Sequence, residues 1–195
     1  MQSSRTWAGV LVSLALLAGG CSGNDDPGDA GSPSGSPSAM QEPAAPPTFK
    51  VAPVVKVGQV VGRISKKHQE SAERQISRAV MRWIDRAYLS TDQSTVRHAF
   101  AGFSRDMKQR AFHDRSVMSN AGLGGITRIE PATLHITTDM LGVKGLPVGA
   151  TSRIELRYKT IGDQRRHVSV GGRVSLVHDP HGWQVISYDV HRGVR

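Results

Sequence analysis

The chain has very few of the residues on which many exported folds and active sites depend. Cysteine occurs once in 195 residues, at Cys21, so no disulfide can form within the chain. One cysteine also excludes zinc sites built on cysteine pairs. Aromatic residues make up only 5% of the sequence. A fold without disulfides must be stable through its hydrophobic core alone, and must therefore be large enough to bury one.

The motifs of common catalytic sites are missing as well. The sequence contains no Gly-rich phosphate loop between a strand and a helix and no Gly-x-Ser-x-Gly elbow. His178, Asp179 and His181 are close in sequence but fall on a predicted hairpin turn. A metal site needs convergent ligands and a supporting shell, so a solvated turn is the better interpretation. We expect no metal and no cofactor.

Long apolar runs are also scarce, and the one that stands out lies at the N-terminus. It runs from Trp7 to Leu17, follows the positive charge of Arg5, and ends in small residues before Cys21. The run is too short for a transmembrane helix and is typical of a secretory signal. An ordinary signal peptide or an apolar tail is the alternative to the more specific interpretation that the cysteine suggests.

The residues Ala18-Gly19-Gly20-Cys21 resemble the lipobox of bacterial lipoprotein signals, in which small residues precede an invariant cysteine. The resemblance implies cleavage between Gly20 and Cys21, diacylation of the Cys21 thiol, and acylation of its new amine with a fatty acid such as palmitate. The chain would then be anchored by lipid at the extracytoplasmic face of the cell membrane, and the bilayer would be its first partner.

Three segments follow from composition: a signal peptide over 1–20, the lipidated cysteine with a tether over 21–47, and a domain over 48–195. The tether is rich in Gly, Ser and Pro, with Met40 as its only large apolar residue. Such a segment buries too little apolar surface to offset the entropy of ordering it. Its root-mean-square reach is about 25–30 Å, enough to lift a domain off a membrane.

Positive charge belongs to the predicted domain alone. Residues 48–195 contain 24 Lys and Arg against 12 Asp and Glu, a net charge of +12, whereas the tether holds four acids and no base. Anionic membranes and wall polymers are the partners that such a domain would meet after export. Nucleic acid is not expected, because the export signal removes the chain from the cytoplasm and stacking aromatics are few.

The first half of the domain predicts one strand and three helices. A β-branched run over 49–61 predicts a short strand or extended arm. Over 67–89, apolar residues recur at helical spacing and predict one long helix. Two short helices follow, one with Val96, Ala99, Phe100 and Phe103 facing inward, the other capped by Ser104. The second of these should bury Met107, Ala111, Phe112 and Met118.

The opposite face of the long helix carries a basic row formed by Arg74, Arg78, Arg82 and Arg86. The row could dock on anionic headgroups or wall polymers. A solvated helix face, partly neutralised by Glu73 and Asp85 and supported by a Glu70–Arg74 pair, is the alternative. Trp83 is expected in the core in either case.

From Ile129 onward the apolar period changes to two, which predicts four antiparallel strands. A loop over 141–150, turns at Gly162-Asp163 and at 179–182, and a bulge or bend at Gly171-Gly172 separate or interrupt them. On the last strand, Ile186, Tyr188 and Val190 should face the helices, which leaves Asp189 and His191 on the outer face near His135 or Arg157. The fold class is therefore α+β, with one long and two short helices on a four-stranded antiparallel sheet.

The region 60–195 resembles the nuclear-transport-factor-like, or cystatin-like, α+β superfamily, in which a long helix crosses a curved, cone-like sheet. It is more closely similar to actinobacterial membrane proteins associated with mammalian-cell-entry (Mce) lipid transporters. The segments that carry the resemblance are 99–103, 118–122, 170–173, 182–185 and 188–190.

Two functions are compatible with that resemblance. The first is a non-catalytic lipoprotein that binds an amphiphilic ligand or an envelope partner protein, with Trp83, Tyr158 and Tyr188 as candidate pocket residues. The second is a proton-transfer enzyme of the isomerase or cyclase kind, which would use Asp189 as its base. The enzyme requires Asp189 inside the cone, since burial would raise the pKa of its carboxyl.

Overall fold

The computed structural model describes residues 52–195, so the predicted signal, Gly20, Cys21 and the tether lie outside the described residues. A short 3-10 turn, Gln93–Thr95, follows the first helix. The helices and strands are β1 Val54–Val61, α1 Lys66–Ala87, α2 Val96–Ala99, α3 Arg105–His113, α4 Arg115–Met118, β2 Ile126–Val143, β3 Leu146–Gly162, β4 Arg166–Asp179 and β5 Gly182–Val194.

The sheet has five strands in the order β1-β2-β3-β4-β5, not the four expected. Strands β2 to β5 form the predicted antiparallel meander. The additional strand is β1, which pairs in parallel with β2 from Val54 opposite His135 to Val61 opposite Leu141. A parallel pair needs a long crossover, and the helical half of the chain supplies it. The α+β class is thus confirmed.

Helix α1 forms where the sequence predicts it. Ser65 caps its first turn, since its Oγ accepts a hydrogen bond from the backbone N–H of His68 at 3.4 Å. All seven predicted apolar positions are buried: Ala72, Ile76, Ala79, Val80, Trp83, Ile84 and Ala87. Burying a stripe of this kind contributes about 1.5–3 kcal/mol for each large side chain, which is why periodicity predicts this helix well.

The described residues form three short α-helices, α2, α3 and α4, where two were expected, because the chain turns at Asp114 and the second predicted helix is divided there. Met107 is only partly buried. Val96, Ala99, Phe100 and Phe103 are buried as expected, and so are Ala111 and Met118. Phe112, however, is 45% exposed, so its predicted inward position is wrong. The chain turns at Asp114 between α3 and α4, which brings Met118 inward while Phe112 packs under the guanidinium of Arg115, 5.2 Å from its ring centre.

Two predicted interruptions of the strands are absent. The expected loop over 141–150 is a tight turn at Lys144 and Gly145, whose φ angles are 51° and 85°, and both strands continue to it. Strands β3, β4 and β5 pair through Gly171 and Gly172 without a register shift. The bulge lies in β5 instead: Ser175 pairs with Ser187 and Leu176 pairs with Val185, so Ile186 is the extra residue and is 42% exposed. The expectation that Ile186 faces the helices is therefore wrong.

One hydrophobic core joins α1 and the short helices to the inner face of the sheet. It extends along the chain from Val55 to Val190. The part of the chain that the structure describes therefore has a complete core of its own, as an independently folding domain requires.

Gly172 provides a test of this packing. Its φ is 140°, and a Cβ atom there would lie 2.2 Å from the Asp189 backbone oxygen. Gly172→Ala should lower the free energy of unfolding by about 2 kcal/mol or more, because both backbone strain and a steric clash oppose it. Gly124→Ala is the control, since nothing lies within 4 Å of its added Cβ. Equal stability of the two variants in chemical denaturation would contradict the close approach of β4 and β5.

Candidate functional site

The predicted basic row is present on the solvent side of α1. Arg74, Arg78, Arg82 and Arg86 are all exposed. Among the described residues, no carboxylate forms an ion pair with any of them within 4.0 Å. The pairing expected from Glu70, Glu73 and Asp85 is therefore not formed, and the row keeps its full charge for a ligand or for solvent.

Two of the arginines are oriented by backbone carbonyls. The Nε of Arg78 donates to the Arg74 backbone oxygen at 3.2 Å. Arg86 donates to the His98 backbone oxygen at 3.1 Å, which ties α1 to α2. Because each guanidinium has five N–H donors, these bonds leave most donors available on both side chains.

A groove of about 470 Å³ opens between the row and the β4–β5 turn. Arg78 and Arg82 lie on one side, His181 and Trp183 on the other, and Asp85 contributes the acidic group. Partial burial raises the pKa of the Asp85 carboxyl. The groove thus combines two guanidinium groups with an apolar wall from Trp183, a surface suited to an amphiphilic anion.

The three predicted pocket residues occupy two environments. Trp83 and Tyr158 are buried in the core, 1% and 3% exposed, whereas Tyr188 is half-buried on β5. Phe103 connects the groups, since its ring lies 5.8 Å from Trp83 and 6.3 Å from Tyr188. Trp83 and Tyr188 therefore belong to one aromatic cluster, and the three residues do not form the wall of one open pocket.

Trp83 instead helps to hold the end of α4, together with Tyr88 and Arg192. Trp83 Nε1 donates to the Met118 backbone oxygen at 3.1 Å, and Tyr88 Oη donates to that of Val117 at 2.7 Å. The guanidinium of Arg192 donates to the next carbonyl, that of Ser119. Three successive carbonyls at the end of a helix, which would otherwise lack partners, are satisfied by three side chains.

Asn120 completes this network. Its Oδ1 accepts a hydrogen bond from the Tyr158 hydroxyl, and its Nδ2 donates to the Tyr88 backbone oxygen at 2.6 Å. Sequence reasoning missed the roles of Asn120 and Arg192, since Asn120 was included only in the segment 118–122 that carries the resemblance. One feature of the sequence could have indicated Asn120: it is an amide side chain close to glycines, in a segment that connects a helix to a strand.

Tyr188 belongs to a second, more exposed cluster. Its hydroxyl donates to Asp114 Oδ2 at 2.8 Å, and the guanidinium of Arg110 lies 5.5 Å from its ring centre. Burial and the neighbouring carboxylate raise the pKa of Tyr188 to about 12. Hydrogen bonds, first from His113 and then from Tyr188, lower the pKa of Asp114. The cluster joins α3 to β5.

Asp189 lies on the outer face of the sheet, as the alternation predicts. Its side chain is 77% exposed and pairs with Arg173 at 3.4 Å. His191 is also outward, and its imidazole covers Gly171, where it lines an open groove of about 580 Å³. His135 lies on the same face, in the row that pairs β2 with β3. Asp189 therefore lacks the burial that the enzyme hypothesis requires.

Metal ligands do not converge within residues 52–195, where no group of three or more His, Cys, Asp and Glu side chains could hold an ion. His178 packs its ring against Trp183, with centres 5.3 Å apart, and Asp179 accepts from the His181 backbone N–H at 2.8 Å. Across the same residues, no helix is long and apolar enough to cross a bilayer.

The buried tyrosines predict how stability responds to alkali. Burial raises the pKa of both Tyr88 and Tyr158, so the folded state keeps protons that the unfolded chain releases above about pH 10. Stability is then fully present below that pH and falls as pH rises, by about 1.4 kcal/mol per pH unit for each tyrosine. Denaturant unfolding between about pH 9 and pH 11.5 measures this slope.

Tyr158→Phe supplies the comparison, because it removes one of the three tyrosines whose pKa is raised in the folded state. It should reduce the alkaline slope as well as overall stability, since it leaves Asn120 Oδ1 without its donor. The lysines contribute equally to the slope in the wild-type protein and in the variant, so the difference between the two slopes reports Tyr158 alone. An unchanged slope in Tyr158→Phe would show that this phenol does not titrate on unfolding.

Comparisons with known proteins give no match for this chain. No protein-family model matches it, no curated protein is significantly similar to it, and no solved structure matches it.

Proposed function

We propose that this protein is a lipid-anchored lipoprotein of the extracytoplasmic membrane face, and that it binds an amphiphilic ligand or an envelope partner protein without catalysing a reaction. The single observation that carries the proposal is Cys21, the only cysteine, directly after an apolar run that ends in small residues. An acylated cysteine in this position supplies the anchor, and the tether carries the basic domain above the bilayer.

The architecture of the domain also supports this proposal. A long helix lies across a sheet, as in the nuclear-transport-factor-like fold and the Mce-associated proteins that the sequence resembles. We propose that the domain is a variant of that cone in which Trp83, Tyr88 and Tyr158 fill the interior with hydrogen-bonded aromatics. Recognition then takes place at the surface, where the basic row and its groove present unpaired guanidinium groups.

The anchor is tested by substituting the cysteine. Cells that express the full chain should incorporate a clickable palmitate analogue into the protein, which should fractionate with membranes. Cys21→Ser should abolish labelling and release the protein from the membrane, whereas Ser22→Ala, the neighbouring control, should not. Membrane fractionation without label in the wild-type chain would refute lipid anchoring through this residue.

Substitutions that remove the charge of the basic row test its role in binding. Arg74, Arg78, Arg82 and Arg86 changed together to Gln should weaken binding of chain 22–195 to polyanions by about tenfold or more at low salt, because unpaired surface charges drive such binding. Two probes distinguish the source of the anion. A loss of binding to a soluble phosphate-bearing wall polymer would assign the row to the wall, whereas a loss of binding to vesicles rich in phosphatidylglycerol would assign it to the membrane.

The control removes the same net charge elsewhere. Arg105, Lys108, Arg157 and Lys159 are exposed on α3 and β3, away from the row. Changed together to Gln, they lower the net charge by the same amount. Equal losses of binding in both variants would mean that net charge, rather than the basic row, attracts the polyanion.

A further inference from the structure

Exposed apolar side chains gather at one end of the sheet. This hairpin tip is defined by the turn between β2 and β3 and the adjoining end of β1. Six of the eleven exposed large apolar residues of the described part lie there: Val60 at 36% exposure, Val61 at 59%, Leu141 at 46%, Val143 at 48%, Leu146 at 52% and Val148 at 37%.

Backbone pairing brings these residues together. Val61 is the cross-strand partner of Leu141, and Val143 is the partner of Leu146. The turn residue Lys144 has a positive φ of 51°. Surface apolar residues are normally scattered, so a cluster on a projecting turn marks a contact surface.

Cations surround this apolar tip. Lys144 occupies the turn itself, and Arg63, Lys66 and Lys67 lie at the start of α1. The start of α1 is held against the turn by two contacts: Ile64 forms a parallel bridge with Gly145, and His68 Nδ1 lies 3.3 Å from the Gly145 backbone oxygen.

The carboxylate nearest to the β1 side of the tip is already paired. Asp139 Oδ1 accepts a hydrogen bond from the Gln59 N–H at 2.8 Å, and Asp139 Oδ2 lies 3.1 Å from Arg153. Within residues 52–195, no carboxylate lies within 4.0 Å of Lys144, Arg63, Lys66 or Lys67, so these cations remain available to an external anion.

We propose that the hairpin tip inserts its apolar side chains into the interface of an anionic bilayer, with Lys144, Arg63, Lys66 and Lys67 on the headgroups. A projecting apolar turn ringed by cations complements a surface that is apolar inside and anionic outside. That this contact forms at the cell membrane rests on the proposed lipid anchor. The contact between the tip and a bilayer does not itself depend on acylation.

The position of the tether is compatible with this orientation. β1 runs parallel to β2 toward the tip, so its first residue, Val54, lies about 23 Å from Val61. A segment of the predicted tether's length and composition reaches about 25–30 Å. Cys21 could then lie in the same bilayer that the tip touches. With the tip on the bilayer, α1 leads away from it, and the basic row is presented to wall polymers.

A single introduced cysteine reports which surface enters the lipid. Chain 22–195 has no cysteine of its own, because Cys21 is the only one. An environment-sensitive fluorophore on Leu146→Cys should shift to the blue with phosphatidylglycerol vesicles and much less with phosphatidylcholine vesicles. The same fluorophore on Val194→Cys or Arg82→Cys should not shift. A shift at Arg82 without one at Leu146 would establish docking by the side of α1 and overturn the proposal.

The affinity for vesicles tests whether the apolar side chains of the tip contribute to membrane binding. The double variant Val143→Thr and Leu146→Thr places β-branched residues, which favour strands, at both positions but should weaken vesicle binding by about tenfold or more. The control, Ile186→Thr with Val194→Thr, changes two comparably exposed residues on β5 and should bind as wild type. Unchanged vesicle binding of the tip variant overturns the proposal, as does a dimer in vesicle-free solution that the tip variant abolishes.

These assays use unacylated protein, so their failure is distinguishable from failure of the lipid anchor. If Cys21 is acylated but the tip does not bind vesicles, the anchor stands alone. If the tip binds and Cys21 is not acylated, the tip is an independent membrane contact.

Discussion

The structure depends on the way in which side chains from α1, β3 and β5 hold the end of α4 and the segment that follows it. Tyr158 from β3 donates to Asn120 in that segment. Tyr88 and Trp83, from α1 and its end, donate to the carbonyls of Val117 and Met118, and Arg192 from β5 donates to that of Ser119. These polar groups lie in or against the core, where an unpaired donor or acceptor costs about 1–3 kcal/mol. The network therefore fixes how the helices approach the sheet.

That network determines where a ligand can bind. A cone-shaped fold could hold a ligand between its long helix and its sheet. Here the aromatic side chains at that position form hydrogen bonds to backbone and to Asn120, and any ligand would have to replace those bonds. The ligand that we propose would therefore bind at the surface, at the arginines of the basic row and the exposed apolar residues of the hairpin tip.

Features set by short-range periodicity could be predicted from sequence. The buried stripe of α1 is an example, since every position follows from helical spacing and hydrophobicity. The outward position of Asp189 follows equally well from strand alternation. Ile186 could not be placed, because it is the extra residue of a bulge in β5, and a bulge depends on strand pairing rather than on local sequence.

Long-range pairing explains what was missed at the candidate sites. The parallel pairing of β1 with β2 depends on the whole helical crossover between them. The sequence of β1 therefore indicates a strand but does not indicate its partner. The hairpin tip was treated as a loop because glycines at 142, 145 and 149 resemble loop punctuation. Only the paired strands reveal that its apolar residues are exposed together.

The basic row and the hairpin tip differ in physical character, and that difference separates their roles. Attraction between exposed charges is screened over about 10 Å at moderate ionic strength, so the row acts weakly on distant anions in salt. Apolar insertion is not screened in this way and depends on contact area. A domain attached by a tether needs no strong attraction to find the bilayer. If the chain is lipid-anchored as we propose, the tip would set its orientation on the bilayer, while the row would remain available for anionic partners above the membrane.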